Sequence, residues 1–225
     1  MNEVIIVNPV KVEIRDIELD YIKKQYSQDK LKIVNVKNGP ETVEGFMTKT
    51  IACNAILEIV NEPKDGSVMV INCFGDLCLF ELQDLLDISV FGAGETTMHI
   101  VAMLGEFSVI GPCDNMISWT RIQAREYGVF NKLISVEKVH LTVKDILSAA
   151  ESVYQSTKKA AVKSIEDCDD LVVLGCTGFS VIAERLQKEI WEKFRSLVLE
   201  PLLTSYSVAR SFHIPHGRRG LFEGH

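Results

Sequence analysis

Two cysteines with matching sequence surroundings are the residues of this chain most suited to chemistry. Cys73 and Cys176 each follow a short apolar run and precede a glycine by two positions, in the segments Val68–Gly75 and Leu171–Gly178. Such apolar runs are typical of buried parallel strands, and α/β proteins place functional residues at the carboxyl edge of these sheets. The repeated pattern predicts two similar halves, each offering one thiol to a shared cleft.

The two thiols could act as an acid and a base. A thiol at the amino end of a helix lies near the positive pole of the helix dipole, which could lower its pKa from about 8.5 to about 7. Two thiolates close together repel, so the pair should hold one thiolate and one thiol. One group could then remove a proton from a carbon while the other returns a proton to the opposite face. This inverts a stereocentre without a metal or an organic cofactor.

Strand and helix patterns alternate along the whole chain, which predicts an α/β fold with parallel sheets. We expect two similar lobes, each a four-stranded parallel sheet flanked by helices, related by a pseudo-twofold axis. Residues 1–100 should form the first lobe, completed by a C-terminal helix over 201–222. Residues 101–200 should form the second, with the active site between the lobes.

Two local patterns carry more specific expectations. Thr42 is predicted to cap a long helix that runs to about Asn61. The buried side of this helix is predicted to hold five residues: Phe46, Ile51, Ala55, Ile56 and Ile59. Gly92-Ala93-Gly94 is predicted to turn before a helix over Glu95–Leu104. This Gly-x-Gly lacks the third glycine of a dinucleotide fingerprint and an acidic residue follows it, so an NAD-type oxidoreductase is disfavoured.

Composition and charge disfavour several classes of function. The chain has 225 residues, of which 47% are hydrophobic and 24% charged, as in ordinary globular proteins. The net charge of −7 and the lack of a basic stripe disfavour nucleic-acid binding. No segment approaches the roughly 18–20 apolar residues of a membrane span. The first residues lack a signal-peptide pattern, so we expect a cytoplasmic protein with reduced cysteines.

The remaining cysteines and two histidines are interpreted as structural. The six cysteines form no CxxC pair, which disfavours zinc and thioredoxin-like redox sites. His213 and His216 form an isolated HxxH without a further ligand nearby in sequence, so no metal is predicted. The other four cysteines are interpreted as small buried residues: Cys53, Cys78, Cys113 and Cys168.

The cysteine segments resemble those of the aspartate/glutamate racemase superfamily, and within it the hydantoin racemase branch, which includes allantoin racemases. Cys73-Phe74-Gly75-Asp76 resembles the first catalytic block of that branch, and Gly175-Cys176-Thr177-Gly178 resembles the second. Gly94–Val109 is similar to the central block, and Glu200-Pro201 to a late acidic-Pro segment. The resemblance covers most of the chain.

The resemblance implies a cofactor-independent racemase that acts on a 5-substituted hydantoin or a related cyclic ureide, with Cys73 and Cys176 as the acid/base pair. It also implies a homo-oligomer with a small-molecule substrate. Asp76 could instead tune a thiol or cap a helix, and the helix dipole alone explains an acidic Glu95. The candidate substrate-binding residues are Asn8, Phe74, Gly75, Asp76, Thr177, Gly178, Glu95 and Thr96.

Departures from the family pattern bear on the substrate. Amino-acid racemases of the superfamily usually have Asn-Thr after the first cysteine to hold a carboxylate. Phe74-Gly75 in its place disfavours an aspartate- or glutamate-type racemase, which stays an alternative. The loop Asn8-Pro9-Val10 lacks polar groups common in the family, which motivates a second alternative, an inactive ligand-binding relative. Decarboxylases of the superfamily keep one of the two cysteines, so the presence of both favours inversion.

Overall fold

The computed structural model describes residues 3–11, 16–60, 67–142, 145–146, 150–166 and 171–212, with the backbone alone at 16–18. The described residues fall into two compact units. Unit 1 draws on residues 1–93 and 203–225, and unit 2 on residues 94–202. Each unit contains a four-stranded parallel sheet flanked by helices, which confirms the predicted fold class.

Strands and helices alternate along the chain as the sequence predicts. The first half contains β1 (Val4–Asn8), α1 (Asp16–Gln25), β2 (Leu31–Asn35), α2 (Phe46–Ile59), β3 (Val68–Ile71), α3 (Leu79–Leu85), β4 (Ser89–Gly92) and α4 (Ala93–Leu104). The second half contains β5 (Phe107–Gly111), α5 (Asn115–Glu126), β6 (Leu133–Lys138), α6 (Ala150–Glu166), β7 (Leu171–Leu174), α7 (Ser180–Phe194), β8 (Leu197–Leu199) and α8 (Pro201–Ser211). Two 3₁₀ turns lie at Phe130–Lys132 and Thr177–Phe179.

The sheet of unit 1 has the order β2-β1-β3-β4. Every residue of β1 and β3 is buried, as expected for central strands built from continuous apolar runs. Their parallel register pairs Val7 with Ile71. The carboxyl end of β1, which is Asn8, therefore meets the carboxyl end of β3, which leads to the segment with Cys73, at one edge of this sheet.

The sheet of unit 2 repeats the same connectivity with the order β6-β5-β7-β8. Here β5 and β7 are the fully buried central pair, and Ile110 pairs with Leu174. The segment with Cys176 leaves the carboxyl end of β7. Each cysteine thus follows the third strand, in chain order, of its own sheet.

The C-terminal helix α8 packs against unit 1 from Leu203 onward. The hydroxyls of Tyr26 and Ser207 lie 2.7 Å apart, and Arg210 donates two hydrogen bonds to Asp29. The rings of Phe91 and Phe212 make an edge contact with their centroids 5.0 Å apart. Among the described residues, no helix is both long and apolar enough to cross a membrane.

The predicted start of α2 is wrong, and its predicted buried face is right at Ala55 and Ile56 but wrong at Phe46 and Ile51. The helix begins at Phe46 with Gly45 as its N-cap, and the hydroxyl of Thr48 accepts the N–H of Gly45 at 3.2 Å. The hydroxyl of Thr48, in the first turn of the helix, therefore caps its start in place of the predicted Thr42. Phe46 and Ile51 are exposed by 59% and 43%, and the buried face of the helix consists of Ala52, Ala55 and Ile56.

The predicted turn at Gly92-Ala93-Gly94 is also wrong. Gly92 is the last residue of β4, and α4 begins at Ala93 without an intervening turn. A glycine is needed at position 92 because the side chain of Asp76 packs against it.

Candidate active site

Cys73 lies in a tight turn directly after β3. Its N–H donates to the carbonyl of Ile71 at 2.8 Å, and its carbonyl accepts the N–H of Asp76 at 3.0 Å. Asp76 has a φ of 48°, in the left-handed region that aspartate and asparagine tolerate better than most residues. This turn holds the partly buried Cys73 at the carboxyl edge of the sheet of unit 1.

The surroundings of Cys73 favour its neutral form. Burial raises the pKa of the Cys73 thiol to about 12, and the negative charge of Asp76 also raises it. The N–H of Gly75, which is directed at the sulfur, and the positive charge of Lys49 on α2 lower this pKa without offsetting burial. The predicted lowering by a helix dipole is wrong for Cys73, because α3 begins only at Leu79 and the thiol lies outside its first turn.

Asp76 is buried against the end of β4. Its residue is 4% exposed, and a Cβ added to Gly92 would lie 2.5 Å from both its Cγ and its Oδ1 atoms. The carboxyl group therefore rests directly on the Cα of Gly92, where any other side chain would displace it. This contact explains the glycine that the sequence pattern associated with a turn.

Asn8 and Phe74 lie at the same edge of unit 1 and are also buried. Asn8 is 3% exposed, and its Nδ2 donates to Oδ1 of Asn35 at 3.1 Å. Phe74 is 2% exposed, so its ring belongs to the core. Of the five site residues predicted in this unit, the partly exposed Cys73 is the one that still presents a side-chain surface to a ligand.

A disulfide near Cys73 was missed by the sequence analysis. Cys53 on α2 is bonded to Cys78, with their Cα atoms 4.9 Å apart, so the interpretation of both as ordinary buried thiols is wrong. Glu81 lies close enough to join them in a group whose ligand atoms are within 4.8 Å of one another. The bonded sulfurs offer no thiolate to a metal ion. His213, His216 and Cys168 lie outside the described residues.

Cys176 occupies the corresponding place in unit 2. It has an extended backbone, it is partly buried, and it immediately precedes the 3₁₀ turn that leads into α7. Its carbonyl accepts the N–H of Phe179 at 3.1 Å. A Cβ added to Gly178 would lie 3.5 Å from the Cys176 sulfur, so this buried glycine lies directly beside the thiol.

Gly175 fixes the path of the chain into this site. Its N–H donates to the carbonyl of Ile110 at 2.7 Å. A Cβ at this position would lie 2.8 Å from Cγ1 of Val109 and 3.0 Å from the carbonyl oxygen of Ile110. The close approach of β7 to β5, immediately before Cys176, therefore requires a glycine.

The other predicted site residues lie close to the start of α4 and in the 3₁₀ turn of unit 2. Glu95 is partly exposed in the first turn of α4, and Thr96 is 8% exposed. Thr177 is also 8% exposed, next to Cys176. Unit 1 thus brings Asn8 and the Cys73–Asp76 segment together, and unit 2 contains Glu95, Thr96 and the Cys176–Gly178 segment.

An open groove of unit 2 lies away from the cysteine segments. It has a volume of about 840 Å³ along the end of β6 and one side of α6, with Lys138, His140 and Lys159 among its lining residues. None of the predicted site residues lines it, and several of its lysines are held in ion pairs, such as Lys163 with Glu137. We therefore place the candidate site at the two cysteine segments.

Comparison with known proteins decides the family. The Asp/Glu/hydantoin racemase family model matches residues 21–202, which include both cysteine segments. The chain belongs to this racemase family. It is accordingly a racemase-type isomerase, as the cysteine segments predicted.

Individual relatives agree with this family. The racemase is 27% identical over 188 residues to a hydantoin racemase from Paenarthrobacter aurescens, covering 80% of this chain and 77% of that protein. It is 23% identical over 168 residues to a hydantoin racemase from Pseudomonas sp. (strain NS671), covering 73% and 68%. Its fold is similar to that of an allantoin racemase from Klebsiella pneumoniae, with a TM-score of 0.80, 19% identity, and coverage of 94% and 87%.

Proposed function

We propose that this racemase inverts the stereocentre of a 5-substituted hydantoin or a related cyclic ureide, with Cys73 and Cys176 as the two acid/base groups and without a cofactor. The observation that carries the proposal is the repeated placement of a free cysteine. Each thiol follows the third strand of a sheet with the same strand order, and each is followed two positions later by a glycine. The names of the two hydantoin racemases and the allantoin racemase support the substrate class.

The reaction has two proton transfers. One cysteine, as thiolate, takes the hydrogen from the ring carbon next to the carbonyl group, so that a C–H bond breaks, an S–H bond forms and an enolate results. The other cysteine, as thiol, then gives its proton to the opposite face of that carbon and becomes the thiolate. The return reaction exchanges the two roles. This mechanism requires both sulfurs to reach one carbon from opposite sides.

The remaining site residues receive supporting roles in the proposal. The N–H of Gly75 stabilises the thiolate form of Cys73, since it lowers the pKa of that thiol. Asn8, Phe74, Gly75 and Asp76 from unit 1, and Glu95, Thr96, Thr177 and Gly178 from unit 2, are proposed to frame the ring. Phe74 and Asp76 would act mainly through their backbone or their packing, because both are buried.

The phenylalanine after Cys73 favours a ureide over an amino acid. An aspartate or glutamate substrate carries carboxylates that need hydrogen-bond donors or positive charges. Phe74 offers no side-chain donor and its ring is 2% exposed. A neutral ring with carbonyl and N–H groups needs no positive charge, and backbone N–H groups could donate the hydrogen bonds that its carbonyl groups accept.

The test is solvent-deuterium exchange with an enantiopure 5-alkylhydantoin, because an alkyl substituent leaves the ring C–H less acidic than an aryl one. In D₂O without metal or pyridoxal phosphate, optical activity should decay while one deuterium enters the ring carbon. Cys73→Ser and Cys176→Ser should each lower the rate about 10²–10⁴-fold, the usual contribution of a positioned acid or base. Cys113→Ser removes another free thiol of unit 2 and is the matched control.

Two results would overturn the proposal. If either catalytic-cysteine variant kept near-normal turnover from both enantiomers, the two-base mechanism would be wrong. If the wild-type protein bound a ureide tightly without deuterium uptake, it would be an inactive ligand-binding relative. A homo-oligomer and a cytoplasmic location stay predictions, and light scattering of the purified protein checks the first.

A further inference from the structure

The carboxyl group nearest to Cys73 in the chain is held away from solvent. Asp76 is 4% exposed and is joined to Cys73 by the hydrogen bond from its N–H to the Cys73 carbonyl. Its Cγ and Oδ1 rest against Gly92, at the position that a Cβ there would occupy. The turn and the glycine together fix this carboxyl group in the same small loop as the thiol.

We propose that Asp76 is a positioning residue for Cys73: its buried carboxyl group, held by the turn and by Gly92, disfavours a negative charge on the Cys73 sulfur. This inference rests on the proposed function, in which Cys73 is one of two acid/base groups. It assigns Asp76 a role through the thiol rather than through contact with the substrate ring.

The charges that act on Cys73 have opposite signs and come from two elements. Asp76 in its own turn disfavours the thiolate, because two negative charges close together repel. Lys49 on α2 favours the thiolate. Burial acts in the same direction as Asp76, and the N–H of Gly75 in the same direction as Lys49.

The consequence for the reaction is a fixed starting state. With Cys73 as the thiol, the resting protein offers Cys73 as the proton donor, and Cys176 must be the base for the first proton transfer. The enantiomer whose ring hydrogen faces Cys176 can then react at once, because Cys176 is the base. The other enantiomer can react only after Cys73 has lost its proton. Because mirror-image substrates have equal free energies, kcat/KM must stay equal for the two enantiomers in every variant, whereas kcat and KM separately can differ.

The test measures the thiol directly. The rate of alkylation of Cys73 by iodoacetamide at pH 8 is followed by mass spectrometry of the peptide that contains it. Asp76→Asn removes the charge and keeps a residue that tolerates the left-handed backbone conformation. We expect alkylation of Cys73 to become about tenfold faster, which corresponds to a pKa lower by about one, while alkylation of Cys176 changes less than twofold.

Two further variants separate charge from structure. Lys49→Gln removes the opposing charge and should slow alkylation of Cys73. Asp84→Asn removes an exposed carboxylate of the same unit and should leave the rate unchanged within twofold. In racemisation, Asp76→Asn should change the ratio of kcat for the two enantiomers, with the ratio of KM changing equally.

Each result decides the proposal. An alkylation rate of Cys73 in folded Asp76→Asn that stays within twofold of wild type would overturn it. If Asp76→Asn fails to fold, Asp76→Gly keeps the backbone conformation without the charge. Loss of the fold in both, by circular dichroism, would make Asp76 a structural residue and also overturn the proposal. Alkylation needs no substrate, so a failure of the racemase assignment leaves this test intact.

Discussion

At the scale of single residues, Cys73 differs from the helix-start thiol that its sequence predicts. Burial raises the pKa of Cys73 to about 12, so its thiol is protonated at pH 7. In the proposed reaction, Cys73 is therefore the proton donor before substrate binds. In the proposed reaction it becomes a base only after it has passed its proton to the enolate, and the N–H of Gly75 then stabilises the thiolate.

Gly175 gives a prediction at this scale. Gly175→Ala places a methyl group 2.8 Å from Val109 and 3.0 Å from the carbonyl of Ile110, and a backbone atom cannot move aside as a side chain can. Overpacking of this kind costs about 1–3 kcal/mol. We expect a lower melting temperature by circular dichroism and slower racemisation, since the chain that leads from β7 to Cys176 is displaced.

Gly105→Ala is the matched control for that substitution. Its added methyl would lie 3.2 Å from Cδ1 of Leu171, the tip of a flexible side chain that can rotate away. This variant should unfold within a few degrees of wild type and keep its activity. Equal melting temperatures for the two variants would show that the contact at Gly175 is not strained.

At the scale of elements, the disulfide between Cys53 and Cys78 encloses β3 and the turn that carries Cys73. It joins the middle of α2 to the residue before α3. Closing a ring with a sequence separation of 25 removes conformational entropy from the unfolded chain, worth about 3 kcal/mol. The bond therefore stabilises the segment that presents the candidate acid.

The prediction is that Cys53→Ser lowers the free energy of unfolding by about 3 kcal/mol in urea. Dithiothreitol should destabilise the wild-type protein similarly and leave Cys53→Ser unaffected, with Cys113→Ser as the control thiol. Alkylation after denaturation should label two more cysteines in reduced than in untreated wild type. Equal labelling in both samples would contradict the disulfide.

The elements differ in how far their sequences determine them. The apolar runs 68–72 and 171–174 correspond to β3 and β7, because a strand buried on both faces needs an uninterrupted apolar run. The helix α2 is apolar on more than one side, so periodicity selected its buried face only in part: Ala55 and Ile56 were correctly assigned to the core and Phe46 was not. Its cap was missed because the hydroxyl of Thr48 acts from inside the helix.

The candidate site was predictable to a similar extent. The two cysteine segments could be found because their repeated spacing is visible in the sequence. The groups that surround the Cys73 turn could not be predicted. Lys49, which lowers the pKa of Cys73, and Gly92, which contacts Asp76, come from elements distant in sequence and reach the turn only through packing. The disulfide was hidden for the same reason, since the spacing of Cys53 and Cys78 matches no short motif.

At the scale of the whole molecule, the chain returns to its first sheet at the end. The helix α8 crosses from the residues of unit 2 to those of unit 1 and is held there by Asp29, which precedes β2. Asp29 accepts hydrogen bonds from Nε of Arg210 at 2.5 Å, from Nη2 at 2.9 Å and from the hydroxyl of Tyr206 at 3.1 Å. The Asp29 side chain is 4% exposed, so this contact is well shielded from water.

This contact makes the stability of the protein depend on pH. The hydrogen bond from Arg210 lowers the pKa of Asp29 below its ordinary value, with a further contribution from Tyr206. A carboxyl group whose pKa is lower in the folded state contributes stability above its unfolded pKa of about 3.9 and loses it as the pH falls through the folded pKa. Acid should therefore release α8 from unit 1.

Asp29→Asn tests this prediction because it removes the charge and keeps the shape of the side chain. In urea at pH 7 the variant should be less stable than wild type by about 2 kcal/mol, the range of charge-assisted hydrogen bonds. The difference should shrink as the pH is lowered below about 4, since wild-type Asp29 then becomes protonated as well. Asp20→Asn, at an exposed position of α1, should show no such pH-dependent difference. A loss of equal size at pH 7 and pH 3 would mean that the shape of the contact, rather than its charge, holds α8 in place.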